Sequence, residues 1–451
     1  MKNIIAKERI TLFLIIASIV TFLIIFQNYF DTFWATMTIM TFMILYISYA
    51  QLAYTHKIRR YRNRNLDNPI YKPFVSVLIP AHNEEAVIEK TIENVFKNDY
   101  EKFEVIVIDD RSEDKTAEIL KNLENKYKNL KIMFREKDSF PGKSAVLNDA
   151  IKIAVGDAIL VLDADAKIDS DFISKLVPQL EGRDIGAVQA RKVIINKDEN
   201  LLTKCQYNEM ILDTHFQLGK DSVKGAVELR GNGELIKKTA LDDVKGWNNY
   251  TITDDLDLST KLHINGWDIC FCPEVCVYEE AITKFLPLLR QRRRWFEGSV
   301  RRYLEYFTQV IFSEKMSLRV SLDMMAYLTE LILPVWLIIE PIIQAYRWTK
   351  GYDNCVLFSI ALSFGMAMFF TVNLIHSLKR INNYSFKESF IQSLITGIYM
   401  LIVWFPTAFF IVLKIIFMKK TMDWGKTEHG FAKENIFDTN IKEDNLTKER
   451  N

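Results

Sequence analysis

The stretch Ala158-Ile-Leu-Val-Leu-Asp-Ala-Asp165 decides how this chain folds. Its first five residues are apolar, and its last three set two carboxylates either side of one alanine. A short apolar run of this length reads as a buried strand, so the carboxylates fall where the strand ends. Upstream, Val75-Ser-Val-Leu-Ile79 and Phe103-Glu-Val-Ile-Val-Ile108 read the same way, while Glu84 to Phe96 and Lys115 to Lys126 are amphipathic and rich in Lys and Glu. Strands alternating with helices predict an α/β fold, Rossmann-like with a mostly parallel sheet, from Phe74 to about Tyr278.

Ligands of such sheets bind beyond the carboxyl ends of the strands. Asp109 and Asp110 follow one strand, Asp163 and Asp165 another, and Asp254, Asp255 and Asp257 form a third acidic group. Carboxylates brought to one cleft suit a hard, oxygen-liganded cation that then holds phosphates. Pro141-Gly-Lys143 adds a flexible turn and a cation, which serves either an anionic ligand or simply solvation. Gln291-Arg-Arg-Arg-Trp295 combines an amide, guanidinium forks that match phosphate and an indole face on which a sugar stacks. The same Arg and Trp would also anchor a helix at a membrane interface.

The ends of the chain differ from its middle. The 451 residues are 49% apolar with 30 Phe and a net charge of +1, which leaves no overall field to gather nucleic acid. Ile10 to Phe26 and Phe33 to Leu52 are two apolar runs near the length that crosses a bilayer. No small-residue cleavage site follows the first, so a membrane hairpin is expected rather than a removed signal. Lys2, Lys7 and Arg9 precede the pair and Lys57, Arg59, Arg60, Arg62 and Arg64 follow it, which puts both flanks in the cytoplasm. Further spans are expected near Met324 to Tyr346 and Cys355 to Ile375. Phe386 to Met418 is long enough for one tilted span or a tight hairpin, and positive-inside logic favours the hairpin. Cys205, Cys270, Cys272, Cys276 and Cys355 form no disulfide framework or common zinc spacing, so buried thiols in a reducing compartment are expected.

Pro80-Ala-His-Asn-Glu84, Val107-Ile-Asp-Asp110 with Ser112, Asp163-Ala-Asp165, Thr253-Asp-Asp255 and Gln291 to Trp295 occur in an order that resembles the family-2 glycosyltransferases of GT-A fold. The resemblance is to the membrane branch holding bacterial cellulose, hyaluronan and poly-N-acetylglucosamine synthases. It implies a multi-pass cell-membrane enzyme whose cytoplasmic domain is flanked by transmembrane helices. It also implies a UDP-sugar donor, membrane-lipid contact, and Mg²⁺ or Mn²⁺. Carried over residue by residue, Asp110 would meet the base, Asp163 the ribose and diphosphate, and Asp165 the metal. Asp255 would be the general base, and Gln291, Arg294 and Trp295 would hold the diphosphate and acceptor; Lys143, from the residue reading alone, is a further candidate for binding the substrate. Inversion at a sugar carbon does need a carboxylate opposite the leaving group to take the acceptor proton. Thr253-Asp254-Asp255 departs from the commoner Thr-Glu-Asp but keeps the base.

Gly231-Asn-Gly233, Thr251 to Leu258, and Arg294-Trp295 with Arg302-Tyr303-Leu304 are locally similar to cyanobacterial monoglucosyldiacylglycerol synthases, which add one glucose to a lipid. A processive polysaccharide synthase of β-glucan type, with a growing glycan as acceptor, is the leading expectation. The alternative is a glycolipid synthase with diacylglycerol guided by Phe296 to Phe312. The expected division is a transmembrane hairpin over 1–56, the glycosyltransferase domain over 57–290 and interfacial helices over 291–318. C-terminal transmembrane helices over 319–420 and a polar, disordered tail over 421–451 complete it.

Overall fold

Runs of β-branched residues bounded by turns become strands wherever both of their faces can be covered. In chain order the elements are β1 (Val75–Ala81), α1 (Ile88–Val95), β2 (Phe103–Asp109), α2 (Thr116–Lys126), β3 (Leu130–Phe134), α3 (Lys143–Ala150), β4 (Ala158–Val161), β5 (Lys167–Ile168) and α4 (Phe172–Leu176). They continue as β6 (Ile185–Ile194), α5 (Leu201–Ser222), β7 (Glu234–Lys237), α6 (Lys238–Asp243), α7 (Asp254–Ile264) and β8 (Asp268–Glu279). Four helices close the order: α8 (Phe285–Phe312), α9 (Leu318–Thr349), α10 (Val356–Asn382) and α11 (Phe386–Phe417). The computed structural model describes residues 71–351 and 356–418, with Leu45, Tyr49, Phe437, Asp444 and Leu446 besides. The expected N-terminal hairpin, apart from Leu45 and Tyr49, lies outside the described residues, as do Cys355 and the tail apart from Phe437, Asp444 and Leu446.

The eight strands form one sheet in the order β3-β2-β1-β4-β7-β6-β8-β5. Every residue of β1, β2 and β4 is buried. The pleat sends alternate side chains to opposite faces: Val77, Ile79, Val105 and Val107 pack with Ile88, Ile92 and Leu120 of α1 and α2. Leu78, Ile106, Ile108 and Ile159 pack with Val146, Ile211 and Leu262 of α3, α5 and α7. Each of these fully buried side chains contributes roughly 1.5–3 kcal/mol, so the two-sided covering is what fixes β1, β2 and β4 at the centre.

Most of the sheet is parallel, as expected. β3, β2, β1 and β4 are parallel neighbours and so are β6 and β8, but β7 runs antiparallel to both β4 and β6, and β5 antiparallel to β8. The sheet is therefore mixed. The reversal follows the 22-residue α5, which carries the chain across the sheet before β7 enters beside β4. Asn200 starts α5 with a capping box: its side chain accepts from the Thr203 N–H at 2.9 Å while Thr203 Oγ1 accepts from the Asn200 N–H at 3.1 Å.

Cys270, Cys272 and Cys276 are buried along β8, and Cys205 is buried on α5. Phe386 to Phe417 is one continuous helix, not the hairpin that charge patterning favoured. A capping box between Ser385 and Glu388 starts it. Pro406 removes one backbone donor, but the turns beside it are held laterally: Trp404 Nε1 donates to Glu209 on α5, and Thr407, Ala408 and Ile411 are buried. Among the described residues, α11 is the helix long and apolar enough to cross a membrane. Its outer face exposes Phe390, Leu394, Ile398, Leu401, Ile402, Phe409 and Leu413.

Candidate active site

The loops after β1 and β2 are stitched together before any ligand arrives. His82 Nδ1 lies 2.7 Å from the Asp110 carbonyl, the Asn83 N–H donates to Ser112 Oγ at 2.8 Å, and the Glu84 N–H donates to Thr116 Oγ1 at 2.8 Å. Asn83 and Arg111 sit in the left-handed region at φ 56° and 62°, a conformation that non-glycine residues adopt only when their surroundings hold it. Asp110 is fully buried and accepts from Arg111 Nε at 2.8 Å and from Arg135 Nη1 at 2.7 Å.

β4 ends at Val161, and its continuation delivers Asp163 and Asp165. The Asp163 N–H donates to Asn232 Oδ1 at 3.1 Å. Lys143, the first residue of α3, reaches across to donate to Asp163 Oδ1 at 2.6 Å and to the Gly231 carbonyl at 2.8 Å, with Asp254 Oδ2 at 3.9 Å. Burial opposes the charge on Lys143, but Asp163 and Asp254 outweigh it and hold the ammonium above its ordinary pKa. Glu234, fully buried at the start of β7, is pushed well above the carboxylate range by burial and by Asp254.

Helix α7 begins with Asp254 and Asp255, and both face the same cavity. The Leu256 N–H donates to Asp255 Oδ1 at 2.8 Å. Burial, then the neighbouring Asp254 charge, raise the Asp255 carboxyl to about 6, with Lys143 and Arg230 pulling the other way. Asp257 is raised to about 7 by burial and Glu305, but it turns to Asn248 and Tyr306 instead of the cavity. Gly231, at φ 76°, brings its backbone beside Asp255; a Cβ there would stand 3.3 Å from Oδ2.

A tight crossing of α7 and α8 sets the height of these acids. A Cβ at Gly298 would lie 2.4 Å from Thr253 Cγ2 and 2.5 Å from Thr253 Oγ1, and Thr253 precedes Asp254 directly. Gly298→Ala is therefore expected to push α7 away from the cavity, costing roughly 1–3 kcal/mol of stability and lowering turnover. Thermal denaturation beside a rate assay checks this; an unchanged melting point would show that the crossing can yield.

The cavity, about 620 Å³, is lined by Asp110, Lys143, Asp163, Asp165, Asp255, Gln291, Arg294 and Trp295. All eight candidates from the sequence thus share one wall system. The sequence reading missed Lys192, Glu209, Asp213 and Arg230, which also line it. Arg230 adjoins the quoted Gly231-Asn-Gly233 and was within reach; Glu209, in the middle of a helix, carries no motif. Phe296, Tyr327, Leu331 and Trp404, which pack in one apolar cluster, line it as well. The lining therefore combines a polar group, in which Lys143 ties Asp163 to Asp254, with an apolar one.

No group of three or more His, Cys, Asp or Glu side chains able to hold a metal occurs among the described residues. Mg²⁺ commonly binds through one or two carboxylates and takes substrate phosphates and waters for the rest. Asp163 and Asp165 at the cavity wall fit that use, and the buried Asp254 Oδ2 and Arg294 Nε have no hydrogen-bond partner among the described residues.

Residues 72–298 match the family model described as Glycosyltransferase like family 2. The chain is 38% identical over 361 residues to a beta-monoglucosyldiacylglycerol synthase of Trichormus variabilis, covering 79% of this chain and 76% of that protein. It is 28% identical over 345 residues to a poly-beta-1,6-N-acetyl-D-glucosamine synthase of Staphylococcus epidermidis, covering 75% and 80%. Among solved structures, the mannosyltransferase PcManGT from Pyrobaculum calidifontis, in complex with GDP-Man and Mn²⁺, superposes with a TM-score of 0.55 at 20% identity, covering 81% of this chain and 99% of that one.

Proposed function

Because the chain belongs to glycosyltransferase family 2 and so is an enzyme that transfers sugar, we propose that it moves one hexose from a UDP-sugar, UDP-glucose in the first instance, onto a lipid hydroxyl. The observation that carries this reading is one cavity lined by both a charged group and an apolar one. Lys143 and Arg294, with carboxylates fit for a cation, suit a nucleotide diphosphate, and the Phe296, Leu331 and Trp404 cluster suits hydrocarbon. The identity to lipid glucosyltransferases exceeds that to the polymer synthase, 38% against 28%. That ordering favours the glycolipid alternative over the processive polysaccharide synthase that led the expectations from the sequence.

In the proposed reaction the donor diphosphate lies by Lys143 and Arg294, with the base near Asp110 and the ribose near Asp163. Asp255 takes the proton of the acceptor hydroxyl as its oxygen forms the new bond to the anomeric carbon. The bond from that carbon to the diphosphate breaks on the opposite side, so configuration inverts and nucleotide diphosphate leaves. A bound Mg²⁺ or Mn²⁺, held by Asp165 with Asp163, would neutralise charge on the departing diphosphate. Gln291 and Trp295 would steady the acceptor, the indole offering its face to an apolar or sugar surface.

The same reading places the exposed apolar face of α11 and the apolar segments at both ends of the chain in the cell membrane, with the catalytic domain on the cytoplasmic side. Purified protein in lipid, given labelled UDP-glucose or UDP-N-acetylglucosamine with Mn²⁺, is expected to put label into a single organic-extractable glycolipid. Label in high-mass material degraded by a β-glycanase would overturn the lipid reading and restore the polymer synthase.

A further inference from the structure

Glu209 is a buried carboxylate in the interior of α5 with three side-chain donors from two other helices. Its Oε2 accepts from Arg292 Nη2 at 2.8 Å and from the Tyr399 hydroxyl at 2.9 Å, and its Oε1 accepts from Trp404 Nε1 at 2.9 Å. Arg292, on α8, is 1% exposed. Burying a guanidinium without a partner costs several kcal/mol, so this Arg stays where Glu209 puts it.

What Arg292 does from there is decided by its neighbours in sequence. Its Nη1 donates to Gln291 Oε1 at 2.5 Å, and its guanidinium carbon stands 4.1 Å from the centre of the Trp295 ring. Gln291 and Trp295 both line the cavity, whereas Arg292 itself does not. The guanidinium therefore braces one amide and one indole from behind, fixing an amide rotor and a ring plane that would otherwise be free to turn. Tyr399 and Trp404 tie the same carboxylate to α11, the helix with the exposed apolar outer face.

We propose that Glu209 is a positioning residue for the acceptor, acting through Arg292 on Gln291 and Trp295 and linking their orientation to the seating of α11. This rests on the glycosyltransferase reading above for what the cavity binds, but not for the geometry. Two variants separate positioning from folding. Arg292→Lys keeps a cation for Glu209 but loses the fork to Gln291 and the planar contact with Trp295. The double variant Glu209→Gln with Arg292→Met removes both buried charges at once and fills the Arg volume.

Each protein is assayed with UDP-glucose and dioleoylglycerol in phosphatidylglycerol vesicles. UDP affinity is measured separately, and the fluorescence of Trp295 is isolated by subtracting the matching Trp295→Phe protein. Both variants are expected to hold UDP within about twofold of the parent while KM for the acceptor rises about tenfold or more. The Trp295 emission is expected to shift in both. Parent-like acceptor KM in both variants would overturn the proposal, as would UDP affinity falling in step with the acceptor. An unshifted Trp295 emission in Arg292→Lys would overturn it too, even if the parent transferred no sugar; a parent without transfer would instead defeat the functional reading alone.

Discussion

Asp255→Asn is expected to abolish transfer and to make the protein harder to unfold. Loss of a general base lowers turnover by about 10²- to 10⁴-fold, while UDP affinity should survive because Lys143 and Asp163 are untouched. The stability gain comes from the same burial that suits Asp255 to its task. Its folded pKa of about 6 lies above the ordinary 3.8, so the native state holds the proton more tightly than the unfolded chain does. Ionising the group therefore costs native stability as pH rises from about 4 to about 6, and the penalty stays constant above that. Asparagine carries no such charge. The melting-temperature gain should be full at pH 8 and shrink towards pH 4, and the parent's rate should rise with pH through about 6. A variant that turns over normally would remove Asp255 from the base role.

Lys143→Met should have the second-largest effect, and it touches stability, affinity and pH dependence together. Lys143 bonds to Asp163 at 2.6 Å and lies 3.9 Å from Asp254, in a cluster that also holds Asp255 and the buried Glu234. Because the pair is partly exposed, the loss of its cation is expected to lower stability by less than the roughly 3–5 kcal/mol of a fully buried one. Lys143 is also among the charges that lower the Asp255 pKa. Its loss lets that pKa climb, so the acid limb of the pH–rate profile should move to higher pH and UDP affinity should fall. A stable variant whose acid limb stayed where the parent's lies would show that Lys143 does not govern Asp255.

Much of the catalytic half was legible because it rests on local signals. β1, β2 and β4 are runs of Val, Ile and Leu with acids at their ends, and all eight candidate residues meet at one cavity. β3 escaped because Leu-Lys-Ile-Met-Phe is short and half exposed, as an edge strand is. β7 escaped because Glu234-Leu-Ile-Lys237 owes its place to the sweep of α5 and to pairing on both sides, which no window of four residues encodes. The continuity of α11 depends on a bond from Glu209, far away in sequence. The choice between a glycan and a lipid acceptor was not legible for a different reason. Gln291 to Trp295 and the acidic groups belong to lipid and polymer synthases alike in the resemblance, so they do not tell one acceptor from the other.

The way α10 and α11 are fastened bears on what counts as a module in this protein. Leu374, Leu378 and Ile381 of α10 sit in the same core as Leu78 and Ile106 of the central strands. On α11, Thr396 is bonded to Asn208 and Lys414 to Glu297, so the helix is clamped near both ends to α5 and α8. The boundary that the sequence invites after residue 290 is therefore not a seam. Cutting there would strip hydrophobic partners from the sheet and leave Glu209 without Arg292, Tyr399 and Trp404. The apolar helices thus serve as part of the sheet's own core, and the two are expected to melt together.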